Sequence, residues 1–162
     1  TFSSGTTISS SQVNANFTAL GNAMPAVKTV NITSTVTVTA TVAPYQDILS
    51  INVTPPVDGN IILSGGGTLA IRQSAAGLDW VWVSLTTGSG GFNGTANETF
   101  HGISTPVAEA YSYDSFNVTG VFPVTGGATT TFYLTAQKNG ANTTTVIRPR
   151  LTALFVPGTA LP

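Results

Sequence analysis

The chain has 162 residues, enough for one domain with a real hydrophobic core and a short appendage. Only 7% of the residues are charged, against about 25% in ordinary soluble domains. The net charge of -1, with five basic residues, excludes a basic patch for nucleic acid, and the absence of cysteine excludes disulfides and thiolate metal sites. No apolar run approaches the roughly 18 residues of a membrane helix, so we expect no membrane insertion. So few charges favour a surface that is partly buried against copies of the same chain.

The first segment, residues 1–27, contains the one good helix prediction. A serine in the run 9–11 can cap the helix N-terminus, and Pro25 ends the helix. Between them, apolar residues recur at spacings of four, three and four, which places them on one helical face: Val13, Phe17, Leu20 and Met24. A helix this short is marginal alone in water, so the stripe needs a partner. That partner is either the chain's own β domain or the same helix in neighbouring subunits.

From Lys28 the pattern changes to period two. Residues 30–42 alternate apolar side chains with Thr or Asn and predict one long strand with one buried face. Turn residues separate further predicted strands, at residues 48–53, 60–63, 68–73, 80–85, 97–103, 111–124, 129–136 and 146–156. Glycines 65–67 are predicted as a turn, and the Asn139-Gly140 pair as a type I′ hairpin turn. Eight to ten strands without intervening helices predict an antiparallel β-sandwich, most plausibly a jelly roll, over residues 28–162.

Two parts of the chain resemble known families. Residues 5–20 (GTTISSSQVNANFTAL) resemble a segment at the head of phage tail-fibre-like and related bacterial surface proteins. Residues 118–123 (VTGVFP), 132–136 (FYLTA) and 150–157 (RLTALFVP) resemble the jelly roll of complement globular heads and tumour-necrosis-factor-like proteins. The second resemblance implies a homotrimer with apolar sheet faces around a threefold axis, in a family of which many members bind a receptor or glycan. The collagen-like repeat of the animal members is missing, so the N-terminal helix would serve as the stalk.

The residues that could carry catalysis are few and scattered. His101 is the only histidine, and Glu98 is three residues earlier, which in a strand places the two side chains on opposite faces. A structural histidine is therefore favoured. The six acids occur singly and indicate neither a glycosidase pair nor a calcium site: Asp47, Asp58, Asp79, Glu98, Glu109 and Asp114. We predict no catalytic residue, no metal site and no cofactor.

Aromatic residues are the candidate ligand contacts. Trp80 and Trp82 share one face of a predicted strand, where they either stack on a sugar ring or fill a core or interface. The same alternatives hold for Tyr111 and Tyr113. Loops at one end of a sandwich often carry binding residues. The full predicted ligand-binding set is Trp80, Trp82, Phe92, Phe100, Tyr111 and Tyr113.

Two arginines and several apolar residues are the candidate oligomer contacts. Arg148 and Arg150 lie on one side of the last predicted strand, where they either pair with acids across a subunit boundary or bind an anionic ligand. The full predicted interface set is Val13, Phe17, Leu20, Met24, Arg148, Arg150 and Phe155.

These features together predict a non-catalytic structural or adhesive module outside the cell or on a virion surface. The leading hypothesis is a homotrimeric fibre or appendage head whose main partner is itself, with a cell-surface receptor or glycan as the candidate second partner. The first alternative is a self-assembling extracellular filament subunit or capsid decoration protein that binds a neighbour through its N-terminal segment. The second is a carbohydrate-binding module.

Overall fold

The computed structural model describes residues 9–22, 24, 26–73, 77–92, 97–105, 111–140 and 142–158. Pro25, the predicted end of the helix, and Glu109 lie outside these residues. The described residues form one helix, α1 (Ser10–Asn22), and nine strands. The strands are β1 (Ala26–Asn31), β2 (Thr35–Val38), β3 (Gln46–Val53), β4 (Gly59–Arg72), β5 (Gly77–Thr86), β6 (Glu98–Thr105), β7 (Tyr111–Val124), β8 (Thr130–Lys138) and β9 (Thr143–Pro157).

The predicted N-terminal helix is confirmed, and its start is fixed by a reciprocal cap. The Ser9 hydroxyl accepts from the Gln12 backbone N–H at 3.3 Å, and the Gln12 side-chain oxygen accepts from the Ser9 N–H at 3.0 Å. This Ser-x-x-Gln arrangement satisfies two amide donors that a helix start leaves free.

The strands form two antiparallel sheets, as the period-two patterns predicted. One sheet has the order β1-β9-β4-β7, with β2 also paired to β9, and the other has the order β3-β8-β5-β6. Their inner faces pack on each other; for example, the rings of Phe122 on β7 and Phe132 on β8 meet edge to face at 5.5 Å. The protein is therefore an all-β sandwich.

The long strand predicted at residues 30–42 is wrong, because the structure breaks it into β1 and β2. Asn31 pairs with Arg150 and Thr35 pairs with Ile147, so three residues of this edge face two residues of β9. The Ile32 N–H donates to the Pro149 carbonyl at 3.1 Å inside the irregular stretch. On its other side β9 has a bulge against β4, because Arg148 and Pro149 lie opposite Gly67 alone. The break between β1 and β2 coincides with this bulge, which the alternation of residues 30–42 does not reveal.

The turn predicted at glycines 65–67 is also wrong, since β4 runs through them without interruption. A Cβ on Gly65 would lie 2.8 Å from Leu134 Cδ1 and 3.0 Å from Leu85 Cδ2, both on the opposite sheet. Glycine is present here because the second sheet approaches closely, a role that strand glycines often have.

The hairpin predicted at Asn139-Gly140 does not exist, because β8 and β9 belong to different sheets. The Asn139 side chain accepts from the Trp80 N–H at 2.7 Å and donates to the Leu78 carbonyl at 3.0 Å, which extends the pairing with β5. Gly140, at a φ of 46°, then turns the chain away from the sheet.

The core lies between the sheets and contains Phe155, which the sequence analysis placed at an oligomer interface. Its side chain is 3% exposed and packs inside its own sandwich. In this fold Phe155 faces inward on β9, so its side chain offers almost no exposed surface to a second copy.

Candidate functional site

A cluster of aromatic rings covers part of the outer face of the β3-β8-β5-β6 sheet. Trp82 and Phe100 pair across β5 and β6 with ring centroids 4.9 Å apart, and Phe100 lies 6.3 Å from Trp80. Phe92 meets Trp82 edge-on at 6.2 Å, and Tyr45 contacts Phe92 at 5.0 Å. We call these five residues the aromatic ridge. Four of them belong to the predicted ligand-binding set, whereas no sequence signal singled out Tyr45.

The two remaining aromatic residues of the predicted set lie on the other sheet. Tyr111 and Tyr113 stack at 6.4 Å on β7, and the Arg72 guanidinium lies 5.6 Å from the centroid of the Tyr111 ring. The structure therefore divides the predicted set between two sheets, and the six residues do not form one site.

The loop that carries Phe92 is fastened across the sheet by hydrogen bonds. Asp47 accepts from the Ser89 hydroxyl at 2.5 Å and from the Gly90 N–H at 2.7 Å. The Thr135 hydroxyl donates to the Gly91 carbonyl at 3.0 Å. These bonds fix the position of Phe92 on the ridge and occupy the Asp47 carboxylate.

Glu98 lies on β6 with Phe100, on the same outer face. Its Oε2 is buried and has no hydrogen-bond partner among the described residues. Burial raises the pKa of the Glu98 carboxyl above its ordinary value of 4.5. The pKa of Tyr45 is also raised, first by burial and then by the charge of Glu98.

His101 connects the two sheets at their β6 and β7 edges. Its Nδ1 lies 2.5 Å from Asp114 Oδ2, and its Nε2 lies 3.2 Å from the Thr99 hydroxyl. The ring is largely buried, whereas Asp114 is exposed. Asp114 is 13 residues away along the chain, so the sequence did not reveal this partner; a structural histidine agrees with the geometry.

The other described acids are also engaged or buried. Asp58 Oδ1 accepts from a loop amide 2.8 Å away, which supports the interpretation of this residue as a turn former. Asp79 is 7% exposed. Together with Asp47, Glu98 and Asp114, these are the five acids that the structure describes. Among the described residues, no three His, Asp or Glu side chains converge on a potential metal position.

Arg148 and Arg150 line one groove of about 380 Å³ on the outer face of the β1-β9-β4-β7 sheet. Both side chains are exposed. The walls of the groove are otherwise uncharged: Asn31, Ile32, Thr33, Gly67 and Thr68. The sequence predicted the arginine pair but not the groove, which depends on strands far apart in the chain.

The apolar stripe of α1 is exposed. Phe17 is 69% exposed, Leu20 60%, and Val13 39%, and Met24 beyond the helix end is 59% exposed. Of the two partners considered for this stripe, the chain's own described β strands do not cover it. In the part of the chain that the structure describes, no helix has the length and hydropathy that a bilayer crossing requires.

Comparison with known proteins gives structural likenesses alone. No protein-family model and no curated protein matches the chain. The infectious bursal disease virus Gt strain structure is similar over 84% of this chain and 34% of that chain, with 21% identity and a TM-score of 0.40. The Gx strain structure is similar over 86% of this chain and 35% of that chain, with 20% identity and a TM-score of 0.37. The crystal structure of the VP2 subviral particle of this virus is similar over 85% of this chain and 34% of that chain, with 20% identity and a TM-score of 0.35.

The chain spans about a third of the length of these virus proteins. The three structures come from a virus and its subviral particle, and none is a tail-fibre, complement or tumour-necrosis-factor-like protein. The resemblances found in the sequence therefore have no counterpart among them. A likeness at these values assigns no role to the chain.

Proposed function

We propose that the chain is a non-catalytic structural module of a virion or cell-surface appendage, and that copies of it associate through α1 into a trimer. The observation that carries this proposal is the exposed stripe of α1. Three large apolar side chains on so short a helix are costly to leave in water, and association with the same stripe in other copies removes them from it.

The composition supports self-association as well. Charged residues are 7% of the chain, and α1 contains none. Helices without charges cannot select a partner by salt bridges, so apolar contact is the driving force that remains. In this proposal residues 1–27 are the assembly element and residues 28–162 the domain that the assembly displays.

We also propose that the sandwich is a jelly roll. If β1 and β2 are counted as one interrupted strand, eight strands form two sheets of four, which is the strand number of that fold. Successive strands along the chain mostly alternate between the two sheets, so the sheets are joined by connections that cross from one to the other, as in jelly rolls. Jelly rolls occur in capsid and lectin domains, so this fold supports a structural or adhesive role by analogy alone.

Multi-angle light scattering of the full chain tests the assembly. We expect a mass about three times the 16.5 kDa of one chain. The double variant Phe17→Ser/Leu20→Ser is expected to shift the mass towards one chain. Ala15 and Thr18 lie on the opposite helical face, so Ala15→Ser/Thr18→Ser is the matched control and is expected to keep the wild-type mass.

Three outcomes contradict the proposal in different ways. A wild-type monomer at every concentration overturns self-association. A trimer that persists in the Phe17→Ser/Leu20→Ser variant overturns the role of α1. Large polymers that dissociate in that variant indicate a filament subunit instead of a closed trimer. Circular dichroism checks that the β domain of each variant is folded.

A further inference from the structure

The backbone at Arg148 is unusual, because it lies in the left-handed region with a φ of 49°. Residues other than glycine seldom adopt this conformation, since it brings Cβ close to the backbone. The Arg148 N–H donates to the Ser34 carbonyl at 3.3 Å, and the Ile32 N–H donates to the Pro149 carbonyl. These bonds hold a bulge in β9 at the break between β1 and β2. Bulges often redirect side chains at binding sites, and the strained residue here is a cationic one.

Gly66 on β4 leaves the groove beside the bulge open. Gly66 pairs with Arg150, and a Cβ on Gly66 would meet nothing closer than 3.4 Å. Gly67 lines the groove directly. A Cβ on Gly67 would point towards the buried Phe116 ring, 3.1 Å away, so it is the missing side chain of Gly66 that leaves the space beside Arg150 unfilled. Its volume, about 380 Å³, lies in the range of small-ligand sites.

The two guanidinium groups have no anionic partner among the described residues, although the chain's other cations have partners of their own. The Lys28 ammonium donates to the Asn52 carbonyl, and the Lys138 ammonium donates to the carbonyls of Gly140 and Asn142. Arg72 lies against an aromatic ring. Each described acid is hydrogen-bonded or buried within its own copy, and none of them pairs with Arg148 or Arg150. Both arginine side chains are exposed, so an anion on another molecule can reach them.

We infer that this groove binds an acidic sugar, with its carboxylate or sulfate on the guanidinium groups of Arg148 and Arg150. Guanidinium groups bind planar oxyanions through paired hydrogen bonds. The uncharged polar wall residues Asn31, Thr33 and Thr68 supply donors and acceptors for hydroxyl groups. A sugar acid carries several hydroxyl groups close to its carboxylate, so one small ring can contact this polar wall and both arginines together. The inference does not depend on assembly through α1.

Titration followed by the NMR signals of the arginine Nε–H groups tests the inference. Glucuronic acid is the probe, and glucose, which lacks the carboxylate, is the matched neutral sugar. We expect glucuronic acid to shift the signals of Arg148 and Arg150 and glucose to bind about a hundredfold more weakly, because the charged hydrogen bonds to both arginines are lost. Arg148→Gln and Arg150→Gln are each expected to weaken glucuronic acid binding by about tenfold. Arg72→Gln removes a positive charge elsewhere on the same sheet and is expected to change nothing.

Several results would overturn the inference. The first is no binding of glucuronic acid, and the second is equal binding of glucose. A third is glucuronic acid binding that survives both arginine substitutions. If sodium sulfate binds as tightly as the sugar acid, the groove is a simple anion site. If a glutamate-containing peptide binds and the sugar acid does not, the partner is a protein. The amide spectrum of each variant shows whether it is folded.

Discussion

Arg148 and Arg150 are two residues apart, yet their backbones differ. Arg148 is in the left-handed region and Arg150 is in the regular ladder opposite Gly66. The sequence predicted both arginines as contact residues on one side of a strand, since their spacing is two. It gave no indication of the bulge, because a bulge depends on the register of β9 against β4, a strand far earlier in the chain.

The same change at the two positions should have opposite effects on stability. Arg148→Gly removes the cost of holding a residue with a Cβ in the left-handed conformation, about 1–2 kcal/mol. Glycine also makes the unfolded chain more flexible, which lowers stability by about 0.5–1 kcal/mol. We therefore expect the free energy of unfolding to rise by about 0.5–1 kcal/mol. Arg150→Gly has the entropy cost alone and is expected to lose about 0.5–1 kcal/mol. Urea denaturation of both variants measures the two free energies of unfolding. Equal losses would mean that Arg148 is not strained.

That pair of variants also bears on the function of the groove. If Arg148→Gly is more stable and no longer binds an acidic sugar, then the arginine is present for binding at a cost in stability. If it is more stable and binds as before, the strained backbone has no part in recognition.

Among the elements, the strands were the easier part to predict. The period-two pattern over residues 111–124 coincides with β7, and the helix was recognisable from its serine cap and apolar stripe. Two of the errors occurred where glycine or asparagine has two structural uses, and a third, the single strand at residues 30–42, occurred beside the bulge of β9. Glycine serves in turns and at close approaches, and which use applies at Gly65 depends on Leu85 and Leu134 of the opposite sheet.

The close approach at Gly65 makes a specific prediction about β4. Gly65→Ala places a methyl group against two leucines that are completely buried, and we expect it to lower the free energy of unfolding by about 1–3 kcal/mol. Gly66→Ala, the next residue, faces the open side and is expected to stay within about 0.5 kcal/mol of the wild type. Denaturant unfolding of the two variants gives the comparison. Similar values for both would show that the sheets do not approach closely at Gly65.

At the scale of the whole molecule, the sequence indicated the sandwich but not which residues share a surface. The aromatic ridge combines a residue before β3 with residues of β5, β6 and the loop between those strands, and the arginine groove combines β9 with β4 and the break after β1. Such combinations follow from strand order, which local patterns do not encode. The sequence therefore identified Arg148 and Arg150 and four of the five ridge residues, but not that Tyr111 and Tyr113 lie on the other sheet or that the arginines border a groove.

The two proposed interactions of the molecule differ in physical origin, and salt should separate them. The stripe of α1 is apolar, so its self-association is expected to persist or strengthen as sodium chloride rises to about 1 M, where the Debye length is about 3 Å. Binding of an acidic sugar depends on exposed guanidinium groups and is expected to weaken over the same range because the charges are screened. Light scattering follows the first and NMR titration the second. An assembly that dissociates in salt would be held by charges rather than by α1, and a sugar affinity unchanged by salt would mean that Arg148 and Arg150 do not bind the anion.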